Sequence, residues 1–487
     1  RYIGYVNCET GITSLVRERL TAESQRLNEA QRLCSLIVDE MSIKQQMLYD
    51  KKLDTFFGQK DTSSHVKEIK KSHEESHTNS ECQRICKAEI TLANNLLCFL
   101  LSGLTTKYRL PAAFFFSKRL TGIELHTLTV ATIKEVEACG FIVLRIVSDN
   151  HKTNVNMMKR MSSSRDVKPR ICHPINNERP LFLAFDQCHI LKNIRNCLLD
   201  KVMFDGSEDI SGSFIKKLYL MQSRETVKPV SFLTRKHIDP TNFEKMNVKR
   251  AKDIFSTEVI TALQYLKDHS YHKDAHDYAN AGATITFLKF VKRWFELHDV
   301  SSRNVASLQP SKMHFFNLDD ERLEWLEKDF LHYLKKIKIA SENAGKQFLS
   351  KETYEAIVLT SASTVDCVRY LLQSGFHFVL TRAFNSDPIE MFFSSLRQMS
   401  GSNDMLDARA VIFSLNQILK TGILAIPSSN SVEHESGTSV IGNAKENLRD
   451  EHRNSSCGAT YLPEEVLNIL NDFLGPLGKI YNVCVCD

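Results

Sequence analysis

The chain has 487 residues, of which 42% are hydrophobic and 25% are charged. These proportions are ordinary for a globular protein, and the length is enough for a large core divided among two or three domains. The formal net charge is +5, a small basic excess that permits contact with nucleic acid without arguing for it. No stretch approaches eighteen uncharged apolar residues, so neither a transmembrane helix nor a membrane partner is expected.

The thirteen cysteines are scattered, and several stand in apolar runs, where a reduced thiol acts as a small hydrophobic side chain. Their placement predicts a reducing compartment, the nucleus or the cytosol. The chain begins at Arg1 rather than at methionine, so a fragment or a processed form is expected.

The first strong signal is the stretch Leu33–Ile43, LCSLIVDEMSI, which follows a polar, helix-prone segment. Its apolar residues predict a buried strand that runs directly into Asp39 and Glu40. An unpaired buried carboxylate is unfavourable, so Asp39 is expected where the strand has a use for charge. The alternative is a strand-end acid that faces solvent or pairs with Lys44.

The segment Gln59–Lys87 is strongly polar and predicts an exposed loop, after a short extended run at Leu53–Gly58. Two histidines and two cysteines of this segment could bind zinc tetrahedrally: His73, His77, Cys82 and Cys86. Their spacing departs from the usual zinc motifs, and a solvated loop is the alternative.

Strands and helices alternate from about residue 33 to residue 200, which predicts an α/β sheet. Three of the predicted strands end in an aspartate, namely Asp39, Asp149 and Asp186, and in open α/β sheets chemistry gathers at the carboxyl ends of strands. The other segments in this alternation are strands at Phe141–Val147 and Leu181–Phe185, a strand or short helix at Leu92–Leu104, and helices at Leu125–Gly140, Lys152–Met161 and 189–196.

From residue 201 to residue 380 helical periodicity dominates and strand signals are few, which predicts a mostly helical inserted domain. The helices are expected at Ala251–Leu266, Thr284–His298, Glu321–Ile339 and Ser350–Ser374.

The stretch Thr381–Met399 predicts a helix with Asp387 as N-cap and Pro388 as its first residue. Glu390 follows three residues after the cap, near the start of that helix, and a plain capping box is the alternative to a functional role. Further on, a polar segment at Ser428–Ser456 is predicted to be flexible, and Pro463–Leu474 predicts a short helix.

Asp39, Asp149 and Glu390 are acids that such a fold could bring together. Three carboxylates in one place can hold two divalent cations about 4 Å apart, which activate a nucleophilic oxygen and stabilise the leaving oxygen of a phosphodiester. Mg²⁺ suits this task because it prefers oxygen ligands and keeps open water positions.

The sequence resembles the P-element transposases, including the THAP-domain-containing transposase-like proteins of animals. The resemblance rests on five segments that occur in the family's order and cover most of residues 33–400: LIVDEMSIK (36–44), GFIVLRIVSDNHKTN (140–154), FDQCHILKNIRN (185–196), KMNVKRAKDIFS (245–256) and NSDPIEMFFSSLRQ (385–398). Together they are specific, although each alone is a weak motif.

The resemblance implies a ribonuclease H-like catalytic domain interrupted by a mostly helical insertion domain. Asp39 and Asp149 match the family's first and second catalytic aspartates, Glu390 matches its closing glutamate, and Asp387 is an expected additional metal contact. The implied organisation is the end of an N-terminal helical or dimerisation region (1–32), the first part of the ribonuclease H-like domain (33–200), the insertion (201–380), the closing catalytic helix (381–402) and a partly disordered C-terminal region (403–487).

The resemblance also implies Mg²⁺ or Mn²⁺ at the three acids, and GTP in the insertion domain. No G-x-x-x-x-G-K-[ST] loop is present, so the nucleotide ligands are not assigned. The family's zinc-binding THAP domain is expected to be missing from this chain. The implied partners are transposon-end and target DNA and further copies of the full-length protein, and the implied compartment is the nucleus.

The basic segment HILKNIRN predicts phosphate contacts by Lys192 and Arg195, and a solvated helix face is the alternative. The segment KMNVKRAKDIFS either contacts nucleotide or packs the insertion, and packing is favoured.

Three functions remain open at this point. The first is a metal-dependent DNA transposase that cleaves transposon ends and transfers the strand to target DNA. The second is a domesticated, inactive relative that serves as a DNA- or protein-binding scaffold, and the third is a guanine-nucleotide-binding regulator. The presence of all three acids favours the first.

Overall fold

The architecture is a mixed α/β sheet, with a large helical segment between the last strand of the main sheet and the closing helix. The computed structural model describes residues 6–74, 91–226, 228–269, 275–302 and 312–421. Three residues of the predicted zinc site, His77, Cys82 and Cys86, lie outside these residues, and so does the side chain of His73, whose backbone belongs to a helix. The predicted segments Ser428–Ser456 and Pro463–Leu474 also lie outside them. No helix within them is long and apolar enough to span a membrane.

The strands of the described chain are short in the periphery and long in the centre of the main sheet. They are β1 (Leu33–Ser42), β2 (Leu48–Asp50), β3 (Thr55–Phe57), β4 (Asn95–Gly103), β5 (Arg109–Ser117), β6 (Ile142–Ser148), β7 (Arg170–Cys172), β8 (Pro180–Phe185), β9 (Val202–Phe204) and β10 (Asp209–Ser211).

The helices are concentrated after β8. They are α1 (Ser14–Ser24), α2 (Thr62–Glu74), α3 (Gly122–Ala138), α4 (Lys152–Met161), α5 (Gln187–Asp200), α6 (Ser213–Gln222), α7 (Arg235–Ile238), α8 (Asn242–Lys245), α9 (Val248–Ile254), α10 (Thr257–Asp268), α11 (Gly282–His298), α12 (Glu321–Glu324), α13 (Phe330–Asn343), α14 (Lys351–Gln373), α15 (Asp387–Met399) and α16 (Ala408–Thr421). A π-helical turn, Trp325–Asp329, joins α12 to α13.

The main sheet has six strands in the order β5-β4-β1-β6-β8-β7. The central strands β1, β6 and β8 are parallel, whereas β4, β5 and β7 run antiparallel to their neighbours. The central strands are buried and consist almost entirely of apolar residues, as parallel strands covered on both faces do. The α/β prediction is therefore confirmed, and the segment Leu92–Leu104 forms a strand rather than a helix.

Two local predictions in the first part of the chain are wrong. β1 does not end at Asp39, because it continues to Ser42 in antiparallel pairing with β4, while its parallel pairing with β6 stops at Val38. The polar segment after residue 59 is not a loop over its described part, because Thr62–Glu74 forms α2. Val66 of this helix is buried and His65 packs edge-on against Phe115 of β5, so long-range contacts stabilise a helix that its polar sequence does not reveal.

The region between α5 and α15 is mostly helical, as predicted, with one small hairpin formed by β9 and β10. The predicted helix Ala251–Leu266 is two helices, because Ser256 caps α10 through a hydrogen bond from the Val259 N–H and so interrupts the run. The long helix α14 packs on β8, where the Thr360 hydroxyl bonds to both the N–H and the C=O of Phe185.

Candidate active site at the carboxyl edge of the sheet

The three parallel strands place their following acids side by side. Val38 of β1 is in register with Ser148 of β6, and Ser148 is in register with Phe185 of β8. The residue that follows each of these three positions is an aspartate: Asp39, Asp149 and Asp186. Each of the three adjacent strands therefore carries an aspartate where its parallel pairing ends, as predicted for Asp149 and Asp186, whereas β1 continues past Asp39.

Asp39 lies where other negative charges act on it. Burial of its carboxyl, followed by the charge of Asp149, raises the pKa of Asp39 to about 7, and Glu390 adds to the rise. The Glu40 N–H, which donates to Asp39 Oδ1 at 2.8 Å, and the His189 side chain oppose it. All three predicted acids therefore interact at Asp39, although Asp149 affects it more than Glu390 does.

Asp149 is held by the turn that joins β6 to α4. Its Oδ1 atom accepts hydrogen bonds from the His151 N–H at 2.9 Å and from Asn154 Nδ2 at 2.5 Å. The next residue, Asn150, donates through its side chain to the Glu352 carbonyl at 2.8 Å. These contacts fix the carboxylate of Asp149 at the edge and connect this turn to the start of α14.

Asp186 is fully buried and connects two elements that are 200 residues apart. Its Oδ2 atom accepts from the N–H and from Nδ1 of His189, at 2.8 and 2.9 Å, and so caps α5. Its Oδ1 atom accepts from the Ser386 N–H at 3.0 Å, directly before α15. Burial alone would raise the pKa of Asp186, but these hydrogen bonds and the charge of His189 outweigh it, so the pKa is lowered.

His189 stands between the acids. Burial disfavours the charged imidazole, but the hydrogen bond and charge of Asp186 outweigh burial, and the pKa of His189 is raised. Its charge acts on Asp39 and on Glu390. The sequence named Asp186 only as a strand-end acid and gave His189 no role, because a contact with residue 386 leaves no local pattern.

Glu390 lies in the first turn of α15 and is exposed. Partial desolvation of its carboxylate by the surrounding protein, followed by the charge of Asp186, raises the pKa of Glu390, while His189 and Lys192 oppose the rise. Glu390 therefore faces the same edge of the sheet as the aspartates. The capping box that was the alternative role for Glu390 is not formed, because no side chain caps α15.

The predicted start of α15 is displaced by one residue. Ser386 occupies the N-cap position and Asp387 is the first helical residue. The Asp387 carboxylate instead accepts from Arg382 at 3.4 Å, and Arg382 also donates to Asp299 at 2.9 Å. Asp387 is thus engaged by a cation of the protein, whereas the predicted metal contact of this residue stays a prediction.

Lys192 and Arg195 of α5 are buried. The sequence predicted either phosphate contacts or a solvated helix face for them. Lys192 is 6% exposed and acts on Glu390, and Arg195 is fully buried. The Arg195 guanidinium donates to the Lys245 carbonyl at 2.8 Å, just before α9. α5 packs against α9, so Arg195 is covered and Lys192 keeps only a small accessible part, and neither side chain is displayed on a solvated face.

The side chains of these acids are of the type that binds a divalent cation, but they are not arranged as a metal site. Asp39 and Asp149 supply the oxygen ligands that Mg²⁺ prefers, and their mutual repulsion is what a bound cation would relieve. Neither these aspartates nor Glu390 forms a salt bridge among the described ion pairs. Across the described ranges, however, no group of three or more histidine, cysteine or acidic side chains is arranged to hold a metal ion.

A cavity of about 470 Å³ lies beside this edge, in the helical segment. Sequence reasoning did not find it, because its residues come from four separate helices and loops. It is lined by Leu191, Lys252, Phe255, Ser256, Thr257, Glu258, Lys292, Phe295, Glu296, Asp299 and Lys312. The motif KMNVKRAKDIFS supplies Lys252, Phe255 and Ser256, so it lines the cavity as well as packing α9 against α5.

The cavity connects to the start of α15 through an ion-pair chain. Lys252 contacts Asp299 at 3.0 Å, Asp299 accepts from Arg382 at 2.9 Å, and Arg382 donates to Asp387. A charged ligand in the cavity would therefore act on groups that hold the first residue of α15.

Two family models match the chain, and together they cover more than half of it. Residues 8–162 match "TNP-like, RNase H N-terminal domain", and residues 188–312 match "TNP-like, GTP-binding insertion domain". The chain belongs to the P-element transposase family. Its fold is accordingly a ribonuclease H-like domain interrupted by a mostly helical insertion domain, as predicted.

Individual members of the family are distant in sequence. The Drosophila melanogaster "Transposable element P transposase" is 21% identical over 405 residues, which are 83% of this chain and 47% of that protein. The human "DNA transposase THAP9" is 23% identical over 408 residues, 80% of this chain and 41% of that protein. The chain thus spans less than half the length of these curated relatives.

A solved structure has the same fold. The "Drosophila P element transposase strand transfer complex" aligns with a TM-score of 0.66 at 18% identity, over 85% of this chain and 82% of that one. This similarity extends well beyond the main sheet into the helical segment. The insertion is therefore a part of the shared fold, not a peculiarity of this chain.

Proposed function

We propose that this chain is the catalytic region of a DNA transposase, which hydrolyses a DNA strand at a transposon end and joins the freed 3′-hydroxyl to target DNA. The observation that carries the proposal is the alignment of Asp39 and Asp149 on adjacent parallel strands, with the charges of both Asp149 and Glu390 acting on Asp39. Family membership supports the same reaction class.

In this proposal Asp39, Asp149 and Glu390 hold Mg²⁺ or Mn²⁺. When bound there, the divalent cation lowers the pKa of a coordinated water and offsets the negative charge that develops on the phosphodiester oxygens. Asp186 holds His189 through Nδ1, so His189 Nε2 remains to donate a proton to an anionic oxygen of the DNA. Asp186 also positions α15, and with it Glu390, through the Ser386 N–H.

Phosphate contact is proposed for Lys192 alone of the two predicted basic residues. Lys192 acts on Glu390 and lies close to the edge where the DNA would bind. Arg195 has no part in the proposal, because its guanidinium is fully buried and donates to a backbone carbonyl.

The absence of a ready-made metal cluster within the described residues favours one competing function. A domesticated scaffold would bind DNA or protein and keep the fold without catalysis. For an active transposase, Glu390 must move towards the two aspartates when DNA binds, and its exposed place in the first turn of α15 permits this.

A nicking assay separates these two functions. The full chain is incubated with supercoiled plasmid and Mg²⁺ or Mn²⁺, and the conversion to nicked and linear DNA is followed. Asp39→Ala and Glu390→Ala are expected to abolish cleavage while the fold is retained, and the exposed Asp166→Ala is the control. Cleavage by pure Asp39→Ala or Glu390→Ala protein would refute the assignment. If neither the wild type nor any variant cleaves DNA, although the wild type binds it, the scaffold function is favoured.

We also propose that the cavity beside α10 binds a guanine nucleotide. Three lysines, Lys252, Lys292 and Lys312, line it together with three acids, and each lysine is ion-paired to Asp299 or to Glu296. The N-terminus of α10 opens on the cavity through Ser256 and Thr257. A helix N-terminus favours phosphate groups, and in this proposal the lysines exchange their carboxylate partners for phosphate. The matched family model is described as a GTP-binding insertion domain, which supports the proposal.

Isothermal titration with GTP tests this ligand. Lys252→Ala is expected to weaken binding, and Lys249→Ala, on the same helix but outside the cavity lining, is the control. No heat of binding at millimolar GTP would remove the nucleotide from the proposal. Nuclear residence and assembly of several copies on the DNA are further parts of the proposal that follow from a DNA substrate.

A further inference from the structure

A small hairpin, formed by β2 and β3, extends from the edge that carries the acids. It follows β1 directly, and its base is tied to two parts of the fold. The Ile43 N–H donates to the Asn94 carbonyl at 2.9 Å, beside β4, and the Lys44 N–H donates to the Leu406 carbonyl at 2.8 Å, between α15 and α16. The hairpin is therefore attached beside β4, the antiparallel neighbour of β1, and to the segment that follows α15.

The outward face of this hairpin consists of two aromatic rings. Tyr49 and Phe56 are cross-strand partners and are 48% and 63% exposed, while the alternate residues Asp50 and Phe57 are buried. The ring centroids are 4.8 Å apart, with the ring planes at 37°. The Tyr49 hydroxyl donates to Asp54 Oδ1 at 2.6 Å, so the Tyr49 ring is held and Phe56 is the freer ring.

The hairpin is held rigidly in place. Arg409 of α16 donates to Asp50 Oδ2 at 2.5 Å, which clamps the first strand of the hairpin to the helix after α15. Gly58 closes its base with φ +105°, and a Cβ at this position would lie 2.0 Å from the Gln46 carbonyl oxygen. Because the hairpin is already fixed, the rings can bind a ligand without a large loss of conformational entropy.

The charge around the rings is positive. Lys44, Lys51 and Lys52 are exposed on or next to the hairpin. The two acids of the hairpin both accept hydrogen bonds, Asp50 from Arg409 and Asp54 from the Tyr49 hydroxyl. The surface thus combines an exposed aromatic ring with free lysines, the combination by which proteins bind single-stranded nucleic acid.

We propose that this hairpin binds an unpaired nucleotide of the DNA, with the Phe56 ring stacked on the base and Lys51 and Lys52 on the flanking phosphates. This proposal rests on the proposed DNA substrate and deepens it, because it names the form of DNA that the edge would receive. Stacking on a ring face tolerates any base, so the contact requires no particular sequence.

The test compares two DNA ligands that differ only in unpaired bases. Fluorescence anisotropy of a labelled duplex with a single-stranded 3′ overhang, and of the same duplex with blunt ends, is measured with the full 487-residue chain. Phe56→Leu keeps an apolar side chain but removes the aromatic face, and Phe56→Trp keeps a face. Phe243→Leu is the control, since Phe243 on α8 is 87% exposed and lies outside the hairpin.

Phe56→Leu is expected to bind the overhang DNA about tenfold more weakly, because the base loses its aromatic stacking partner, and to bind the blunt duplex unchanged. Phe56→Trp is expected to bind normally, with its indole fluorescence quenched by the overhang. Lys51→Ala combined with Lys52→Ala is expected to weaken binding of both DNAs and to reduce its dependence on salt.

Each failure has a distinct meaning. Equal binding of overhang DNA by wild type and Phe56→Leu, or unquenched Phe56→Trp fluorescence in the complex, would overturn the stacking role and leave the proposed function intact. A wild-type chain that binds neither DNA would overturn the proposed function and the hairpin proposal together. An equal loss for Phe243→Leu would show that exposed aromatic area, not this hairpin, governs binding, and would also overturn the proposal.

Discussion

The Asp39 carboxyl occupies a position in which its own negative charge is unfavourable in the absence of a cation. Burial and the neighbouring charges of Asp149 and Glu390 all disfavour the ionised form, and only the Glu40 N–H and His189 oppose them. Acids in such positions are typical of functional sites, because the unfavourable charge is offset when a ligand binds. The free-energy cost of ionising Asp39 can therefore be measured as a loss of stability, and it indicates a functional site.

Asp39→Asn should stabilise the metal-free protein at alkaline pH. The pKa of Asp39 is about 7 in the folded state, above its ordinary value of 3.8, so the folded chain binds the proton more tightly than the unfolded chain. The resulting loss of stability is absent below pH 4, grows between pH 4 and pH 7, and is complete above pH 7. At pH 8 the variant should gain about 2 kcal/mol, after allowance for partial exposure.

Urea denaturation in EDTA at pH 8 and at pH 5 checks this gain, which should be larger at pH 8. The exposed Asp166→Asn serves as the control, with the same change of charge far from the edge acids. Equal stability of wild type and Asp39→Asn at pH 8 would show that Asp39 is ionised without difficulty, which would weaken its assignment as a cation ligand.

Divalent cations should stabilise the wild type through the same residues. Mg²⁺ at 10 mM is expected to raise the thermal midpoint at pH 8, because a ligand that binds only the folded chain stabilises it. Asp39→Asn and Asp149→Asn should abolish the shift. Asp387→Asn should retain it, because Asp387 is engaged by Arg382. Loss of the shift in Asp387→Asn as well would make Asp387 a cation ligand, as the family resemblance first implied.

At the scale of elements, Asp186 joins the end of β8, the start of α5 and the start of α15. Asp186→Ala should destabilise the protein by about 2–4 kcal/mol, because it removes a helix cap and leaves the buried Ser386 N–H without an acceptor. DNA cleavage should fall as well, because Glu390 is no longer positioned. Chemical denaturation and the nicking assay measure the two effects.

Asn247→Ala is the matched control for Asp186→Ala. Asn247 also caps a helix, α9, by accepting from the Arg250 N–H at 2.9 Å, but it bridges no second element. Its loss should cost about 1 kcal/mol and leave cleavage unchanged. Equal effects of both variants on cleavage would show that Asp186 acts only as a cap.

Gly58→Ala should dislodge the hairpin formed by β2 and β3. The added Cβ would meet the Gln46 carbonyl oxygen, and φ +105° is itself unfavourable for alanine. Trypsin should then cleave faster after Lys51 and Lys52. Gly206→Ala is the control, with φ +108° but no atom within 4 Å of the added Cβ, so it shares the strain without the clash. Similar rates of trypsin cleavage in both variants would contradict the prediction, because the clash with the Gln46 carbonyl oxygen would then have no effect on the hairpin.

The sequence predicted the elements that have a strong local pattern and missed those defined by distant contacts. The buried strands β6 and β8 and the helix α4 were predicted almost to the residue, because apolar runs and periodicity are local. The polar helix α2 was predicted as a loop, since its contacts with the rest of the fold, such as that of His65 with Phe115, leave no local pattern. The edge position of Asp39 and Asp149 was predicted because each aspartate follows an apolar run that predicts a strand, whereas the link from Asp186 to Ser386 spans 200 residues and leaves no local trace.

At the scale of the whole molecule, α14 joins the helical segment to the sheet through buried polar contacts. Trp294 of α11 donates through Nε1 to the Ser361 hydroxyl at 2.8 Å. Two residues further along α14, the Ser363 hydroxyl accepts from Arg145 of β6 at 3.2 Å. Arg145 and Trp294 are almost fully buried, so separating the two parts would expose both side chains without their partners.

The sheet and the helical segment should therefore unfold together, although the sequence divides them. Both tryptophans of the chain, Trp294 and Trp325, lie in the helical segment, so their fluorescence reports on it alone. Cys34 of β1 and Cys98 of β4 are buried, and mass spectrometry of thiol-labelled peptides reports on the sheet. Coincident midpoints in urea are expected, because one cooperative unit gives the same transition with every probe. A fluorescence change completed before Cys34 becomes reactive would mean that the helical segment unfolds independently, and a nucleotide bound there could then stabilise that segment without stabilising the edge that carries Asp39.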